Sequence, residues 1–372
     1  MIGMQTKGDS HRALMRVLLV LAGAVLIAGF TGCSSPGRAN AELRIPAGGV
    51  LVKGAGATLP SPLYKQWFAV YQSGHPNIAV GYDSVGSGEG IRRFMGQNVK
   101  EEERVDFGAS DAAMKDDEIA QVSKGVLLLP VTAGAVVLAY NLPDFEGDLR
   151  LSRNAYAGIF LGEIKNWNDR LIAEANPGKK LPKLTIATVV RQDGSGTTYA
   201  FTKHLDAISD PWRGRYGPAT LVNWPGNAMR ATGNEGVAGR IQESIGSIGY
   251  VSYEFARKLG LRVAILENRE RRFVKPTEQS CEAALSAAEP PENLRFFIPD
   301  PPGADAYPIV TFSWILLYSH YEDTEKAKAV RDLFQWCLVD GQPYASELGY
   351  IRLPEKVRAK ALVALNTIAP AE

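Results

Sequence analysis

The sequence predicts an α/β protein with mainly parallel sheets arranged in two lobes, and three observations carry that expectation. Short apolar runs alternate with helical segments from Val52 onward, the order in which βα units build parallel sheets. Glycine-rich turns stand where those runs pass into helices. At 372 residues, 45% hydrophobic and 22% charged, the chain has material for two ordinary soluble domains.

The first residues stand apart from that pattern. Lys7, Arg12 and Arg16 form a positive region, and residues 17–30 are apolar but short for a membrane span. Thr31-Gly32-Cys33 then sets small residues before a cysteine. The segment resembles a bacterial lipoprotein signal, with Phe30 where that pattern usually has Leu. It implies a signal peptide over 1–32, export, and lipid on Cys33. Losing 1–32 removes Lys7, Arg12, Arg16 and Asp9, a net +2, so the formal charge of +1 becomes −1. That balance argues against nucleic-acid binding and against membrane contact beyond the lipid. Residues 33–50, rich in Ser, Pro, Gly, Ala and Asn, read as a flexible tether. Cys281 and Cys337 remain; without a spaced cysteine framework they read as packing residues, although an oxidising compartment would permit pairing.

Strands are expected over 51–54, 78–82 and 105–109, with helices starting at Ser61-Pro62, near Gly90 and around Lys115. Residues 126–129 and 135–141 are two apolar runs either side of Pro130, and the chain is expected to cross there to the second lobe. That lobe should hold a helix over 152–161, a strand over 185–190, a helix after Thr197, a helix over 236–243, and strands over 248–251 and 262–266. The proline-rich stretch 288–308 reads as a returning loop. A buried strand over 309–317 follows, and then a helix on which Ala327, Val330, Leu333, Phe334, Cys337 and Leu338 recur at helical spacing. The limits are 51–131 with 308–372 for lobe I, and 132–307 for lobe II.

Arg191-Gln192-Asp193-Gly194-Ser195-Gly196-Thr197 links an apolar run to a helical one. A glycine-rich turn of this kind aims backbone N–H groups at a common point and favours an anion. Arg191 adds a permanently charged fork of donors matched to a tetrahedral oxyanion. Three further segments share this grammar: 54–60 with Thr58, 86–90 with Ser87, and 106–111, where Asp111 stands at the carboxyl edge of a strand. Any one of them alone reads as a tight turn with an N-cap. Four together point to a ligand.

With those residues stated, the chain resembles the extracytoplasmic phosphate-binding protein of the bacterial high-affinity phosphate ABC transporter. GAGATxP, the GSG turn, VDFGASDA, RxDGSGT and IGYV occur in that family's order, and the likeness covers most of residues 52–366. It implies a type II periplasmic-binding-protein fold, two α/β lobes joined by a hinge and closing over one dehydrated phosphate. It also implies phosphate contacts from Thr58, Leu59, Ser87, Asp111, Arg191, Ser195, Gly196 and Thr197, with Asp193 orienting Arg191. Permease subunits of the transporter are the implied partners, the protein acting as a monomer with no cofactor and no metal. Leu59 stands where many members have Phe. Glu89 adds a carboxylate beside the GSG turn and is expected to face solvent, and 99–104 is expected to be a surface loop. Lys165-Asn166-Trp167-Asn168 resembles a surface segment of the family without a ligand role.

Asp111 carries the selectivity argument. A carboxylate in an anion site repels its guest unless the guest brings a proton, and phosphate near neutral pH carries a P–OH while sulfate carries none. An acceptor left unpaired in a dry pocket is costly, so discrimination by orders of magnitude is feasible. Two other classes compete with phosphate capture: a secreted phosphatase-like or serine hydrolase enzyme, and a binder of sulfate, molybdate or phosphonate. The four histidines, His11, His75, His204 and His320, do not cluster with Asp or Cys, and neither a GxSxG elbow nor a GxxxxGK[ST] loop occurs. No catalytic residue is therefore assigned. Trp167, Trp212 and Trp224 are expected to pack the core.

Overall fold

Apolar runs bounded by glycine turns become strands, and the amphipathic segments between them become helices, in the order the sequence predicts. The structure, a computed structural model, describes Ile45 and residues 47–370. The signal peptide expected over 1–32, Cys33 and most of the tether lie outside the described residues. Among the described residues no helix is long and apolar enough to cross a membrane.

The chain forms β1 (Val50–Gly56), α1 (Ser61–Gly74), β2 (Ile78–Ser84), α2 (Ser87–Met95), a 3-10 turn (Glu101–Glu103), β3 (Phe107–Ser110), α3 (Asp116–Ile119) and β4 (Val126–Tyr140). There follow β5 (Arg150–Leu151), α4 (Arg153–Phe160), α5 (Arg170–Ala175), β6 (Ala187–Arg191), α6 (Gly196–Ile208), α7 (Asp210–Arg215), β7 (Met229–Ala231), α8 (Gly233–Glu243), β8 (Ser247–Ser252) and α9 (Tyr253–Lys258). The last part holds β9 (Arg262–Val263), β10 (Ile265–Glu267), β11 (Phe273–Val274), α10 (Glu278–Leu285), β12 (Val310–Tyr318), β13 (His320–Tyr321), α11 (Thr324–Leu338), α12 (Gln342–Leu348), α13 (Glu355–Leu365) and β14 (Ala369–Pro370).

The main sheet has the order β2-β1-β3-β12-β4-β8-β6-β7, with β9 also on β4. The pairs β2-β1-β3 and β8-β6-β7 are parallel, while β3-β12, β12-β4 and β4-β8 are antiparallel. The expectation of mainly parallel sheets is thus corrected to a mixed sheet: two parallel blocks joined through an antiparallel centre. The central strand serves both blocks, because Val126 to Ala135 pair with β12 and Val136 to Tyr140 pair with β8.

Pro130 does not divide this segment into two strands, as the paired apolar runs implied. β4 runs through it, and the register against β12 shifts so that Ser313 faces Thr132 and Trp314 faces Pro130, leaving Val131 without an opposite number. A bulge is where a sheet tolerates a residue lacking an N–H. The stretch 262–266 is also corrected: it splits into β9 on β4 and β10 in a separate three-stranded sheet. Helices α2, α6 and α8 begin at Ser87, Gly196 and Gly233, ahead of the expected starts, because side-chain periodicity gives no weight to small residues in a first turn.

Each block has its own aromatic core. Around β1 and β3, Phe107 lies 5.9 Å from Phe68 and 5.0 Å from Phe334, ring centre to ring centre. Around β6 and β8, Phe201 lies 4.7 Å from Phe160 and 4.8 Å from Tyr250, and Trp212 lies 5.4 Å from Trp224. Such pairs add about 0.5–1.5 kcal/mol each beyond burial. Trp167, Trp212 and Trp224 are all buried in packing roles. Cys281 and Cys337 are free, buried thiols, and α11 buries Ala327, Val330, Leu333, Phe334, Cys337 and Leu338 as its spacing requires. The stretch 288–308 carries no helix or strand, and 99–104 is a surface segment containing the 3-10 turn.

Glu254, in the first turn of α9, is buried with neither carboxylate oxygen partnered. Burial pushes its carboxyl up to about 8, with Arg257 pulling it down and the charge of Asp111 pushing it further up. The folded state therefore keeps a proton that the unfolded chain, at an ordinary 4.5, has released. The stability this group contributes is complete below 4.5 and is lost as pH rises through 8.

Three substitutions test this account. Glu254→Gln should flatten the alkaline fall in melting temperature between pH 5 and 9 that the parent shows. At Gly90, an added Cβ would lie 2.4 Å from Gly56 Cα, so Gly90→Ala should cost about 1–3 kcal/mol or more in denaturant unfolding. Gly239, inside α8 with open space around it, should instead gain about 0.5–1 kcal/mol as Ala.

Candidate anion-binding site

Strands β1, β3 and β6 end at Gly56, Ser110 and Arg191, and the turns beyond their carboxyl ends converge. Thr58 lies in the β1–α1 turn, Asp111 directly after β3, and Ser87 opens α2. Arg191 closes β6, while Gly196 and Thr197 open α6 behind the capping Ser195. The structure brings all of these together and buries them; Thr58, at 7% exposed, is the most accessible. Helix N-termini gathered in one place give a positive end to the local field without a net charge.

The hydroxyls have a fixed sense. Ser87 Oγ accepts from Gly196 N–H at 3.0 Å and from Asp111 N–H at 3.2 Å. Thr58 Oγ1 accepts from Asn234 twice, from its backbone N–H at 3.2 Å and from Nδ2 at 2.8 Å. Thr197 Oγ1 accepts from the same Nδ2 at 3.1 Å, and Ser195 Oγ accepts from Thr198 N–H at 3.0 Å. A hydroxyl oxygen has two lone pairs and one proton. Ser87 and Thr58 each accept two N–H groups, which fills both lone pairs and leaves their hydroxyls to donate; Thr197 and Ser195 each accept one and keep a second lone pair.

Gly196 therefore differs from the free anion donor that the family likeness implies, since its N–H is used on Ser87. Its lack of a side chain is required all the same: an added Cβ would lie 2.5 Å from Asp111 Cβ and 2.6 Å from Ser87 Oγ. The two glycine turns also touch directly, Gly88 N–H donating to Gly194 O at 3.0 Å. Leu59 is fully buried, and its carbonyl accepts from Tyr350 Oη–H at 2.8 Å.

Arg191 is 2% exposed and clamped by Asp193. Its Nε donates to Asp193 Oδ1 at 2.7 Å and its Nη2 to Asp193 Oδ2, and Asp193 Oδ1 also accepts from Gly233 N–H at 3.2 Å. The bidentate pair fixes the plane of the guanidinium and balances its charge. Arg191 N–H donates to Tyr250 Oη at 3.0 Å, and Tyr250 Oη meets Thr198 Oγ1 at 2.8 Å. The aromatic core beneath β6 thus holds the arginine by its backbone.

Asp111 stands out among these donors as an acceptor. It is 1% exposed, and its Oδ1 has no hydrogen-bond partner. Burial pushes its carboxyl up to about 7, against a hydrogen bond from Ser313 and the charge of Arg191 that both pull it down. Glu89, by contrast, points out of the site: its carboxylate holds Arg92 at 2.7 Å and Arg93 at 2.9 Å, and these bonds keep it down at about 2.

Three contributors escaped the sequence reading. Asn234 carried a readable signal, since Thr232-Gly233-Asn234 repeats the glycine turn before a helix; the preceding strand β7, only three residues long, was too short to stand out. Tyr250 falls in the IGYV segment, which carries the family likeness without giving the tyrosine a site role, and Ser313 sits inside an apolar strand pattern where nothing local distinguishes it. His204 is fully buried between Tyr156 Oη at 2.8 Å and Pro299 O at 2.6 Å, and burial pushes it down to about 4. It is a neutral packing residue at neutral pH. Lys165, Asn166 and Asn168 are exposed around buried Trp167.

Residues 34–340 match a family model described as a PBP superfamily domain. In a 388-residue alignment covering 98% of each chain, the protein is 35% identical to the phosphate-binding protein PstS of Methanocaldococcus jannaschii. It is 39% identical to the phosphate-binding protein PstS of Pasteurella multocida over 312 residues, 83% of this chain and 88% of that one. Its fold matches that of a high-affinity periplasmic phosphate-binding protein, PfluDING, solved bound with phosphate, with a TM-score of 0.70 at 22% identity over 84% of this chain and 93% of that one. An ancestral soluble variant of the human phosphate-binding protein matches at 0.69, with 19% identity over 87% of this chain and all of the other. These likenesses establish the type II periplasmic-binding-protein fold of two α/β lobes, and the chain belongs to the PBP superfamily and, within it, to the phosphate-binding protein PstS family.

Proposed function

We propose that the chain captures inorganic phosphate between its lobes and delivers it to the permease subunits of a phosphate ABC transporter. Family membership supports the assignment, and one observation carries it to the site: the buried Ser87 and Thr58 hydroxyls, committed to donate, share one junction with Arg191 and with Asp111, whose carboxylate has an unpartnered oxygen. A guest for such a site is rich in acceptors and has one proton to give. Singly protonated phosphate fits; sulfate lacks the proton. Thr58, Leu59, Ser87, Asp111, Arg191, Ser195, Gly196 and Thr197 are the proposed contacts, with Gly196 acting through Ser87 in this conformation and Asp193 holding Arg191.

The proposed lobes are 51–131 with 308–372 and 132–307. The separate aromatic cores favour this division, and the bulge at Val131 lies at its first boundary. Ligand contacts from both lobes would stabilise the closed state and couple capture to docking. The chain does no chemistry on its guest in this reading. Lipid on Cys33 is the proposed anchor on the outer side of a bacterial membrane, and the working unit is a monomer.

Calorimetric titration of ligand-stripped protein tests the assignment. Phosphate should bind tightly at pH 8.5, and sulfate should fail to displace it at comparable concentration. Because the Asp111 carboxyl is raised to about 7, it takes up its own proton below that pH and becomes a donor, so sulfate competition should grow between pH 8 and 6. Asp111→Asn should relax discrimination more than it weakens phosphate. Equal competition by sulfate at pH 8.5 refutes the Asp111 filter, and release of phosphate from a chromogenic ester above trace rate favours an enzyme. Cys33→Ser should move the protein from the membrane fraction to the soluble one when cells producing it are fractionated.

A further inference from the structure

Asn234 is 1% exposed and spends both amide hydrogens and its backbone N–H at the junction of the two parallel blocks. Its Oδ1 accepts from Ser252 N–H at 2.8 Å. A backbone N–H can only donate, so this bond fixes which way the amide points. Nδ2 must then face Thr58 and Thr197, and it spends one hydrogen on each. The backbone N–H of Asn234 supplies the second bond to Thr58.

These bonds run across the closure. Thr58 follows β1 in one block, whereas Asn234 opens α8 and Thr197 opens α6 in the other. Thr58 meets Asn234 only when the blocks are together. Apart, the Thr58 hydroxyl is free to accept or donate in water; together, its lone pairs are filled and its proton is directed elsewhere. Thr197 Oγ1 takes one bond from the same amide within its own block.

We infer that Asn234 is a positioning residue that sets the donor sense of the Thr58 hydroxyl, orients that of Thr197 and latches the closed form around the anion. This rests on the phosphate reading above and adds to it a group that need not touch the guest. Asn234 turns closure into a change in the chemistry of the site: shutting the lobes converts an ambivalent hydroxyl into a committed donor. An anion gains from that change, and a donor-rich guest does not.

Stopped-flow kinetics with inorganic phosphate on the ligand-stripped protein tests it. Asn234→Ala should raise the phosphate release rate about 10- to 100-fold, the loss expected for a hydrogen bond serving a charged group, with an association rate nearly unchanged. Asn234→Asp replaces the amide donor by an acceptor and should weaken binding further, with partial recovery at acid pH as the new carboxyl takes a proton. Thr58→Val removes the oxygen through which Asn234 acts across the closure, so Asn234→Ala should do less in that background than in the parent. A lowered melting temperature with unchanged release, or an undiminished effect beside Thr58→Val, overturns the inference and leaves the phosphate reading standing. Failure of the parent to bind phosphate overturns both. Should Asn234→Ala not fold, the isosteric Asn234→Asp decides, since phosphate release no faster than in the parent at pH 8.5 overturns the inference.

Discussion

The direction of the buried hydroxyl hydrogen bonds is the constraint on which the site depends. A serine or threonine hydroxyl in water is indifferent, donating or accepting as its neighbours require. In this junction N–H groups of Gly196, Asp111 and Asn234 occupy both lone pairs of Ser87 and Thr58, and Asn234 and Thr198 take one on each of Thr197 and Ser195. The protein thereby chooses the sign of its polar contacts without placing excess charge in the interior. Arg191 brings a cation, but Asp193 balances it, and the near-neutral chain supplies no general field. The junction presents a set of oriented dipoles, which are effective where water is excluded.

That arrangement requires close approach, which explains the glycines as much as any anion cradle does. Gly88 and Gly194 meet backbone to backbone, and Gly196 fits between Asp111 and Ser87 with no room for a methyl group. The same turns that present N–H groups are the surfaces along which the two blocks press together. On the proposed function, specificity and closure share their atoms, so a substitution that weakens one is expected to disturb the other.

The fold supports this from two directions. Below the site, Tyr250 joins the aromatic cluster of Phe160, Phe201 and Trp224 and hands its hydroxyl up to Arg191 and Thr198. Across the centre, β4 belongs to both blocks, and its bulge at Val131 lets a proline lie inside a paired strand. Buried carboxyls complete the environment: Asp111 and Glu254 are both pushed up by burial, so the interior of the junction carries less negative charge than its formula implies.

The sequence by itself determined the alternation of strands and helices, the four glycine turns and the residue types at the strand ends, because these are encoded within a few neighbouring positions. Thr58, Ser87, Asp111, Arg191, Ser195, Gly196 and Thr197 were legible for that reason, and the structure gathers them. Only the tertiary structure decided that the sheet has an antiparallel centre, that β4 passes through Pro130, and that residues 262–266 divide between two sheets, because pairing partners lie far away in the chain. It alone decided the sense of each hydroxyl, since Thr58 and Asn234 are 176 residues apart and no local pattern records which lone pair a distant N–H will fill.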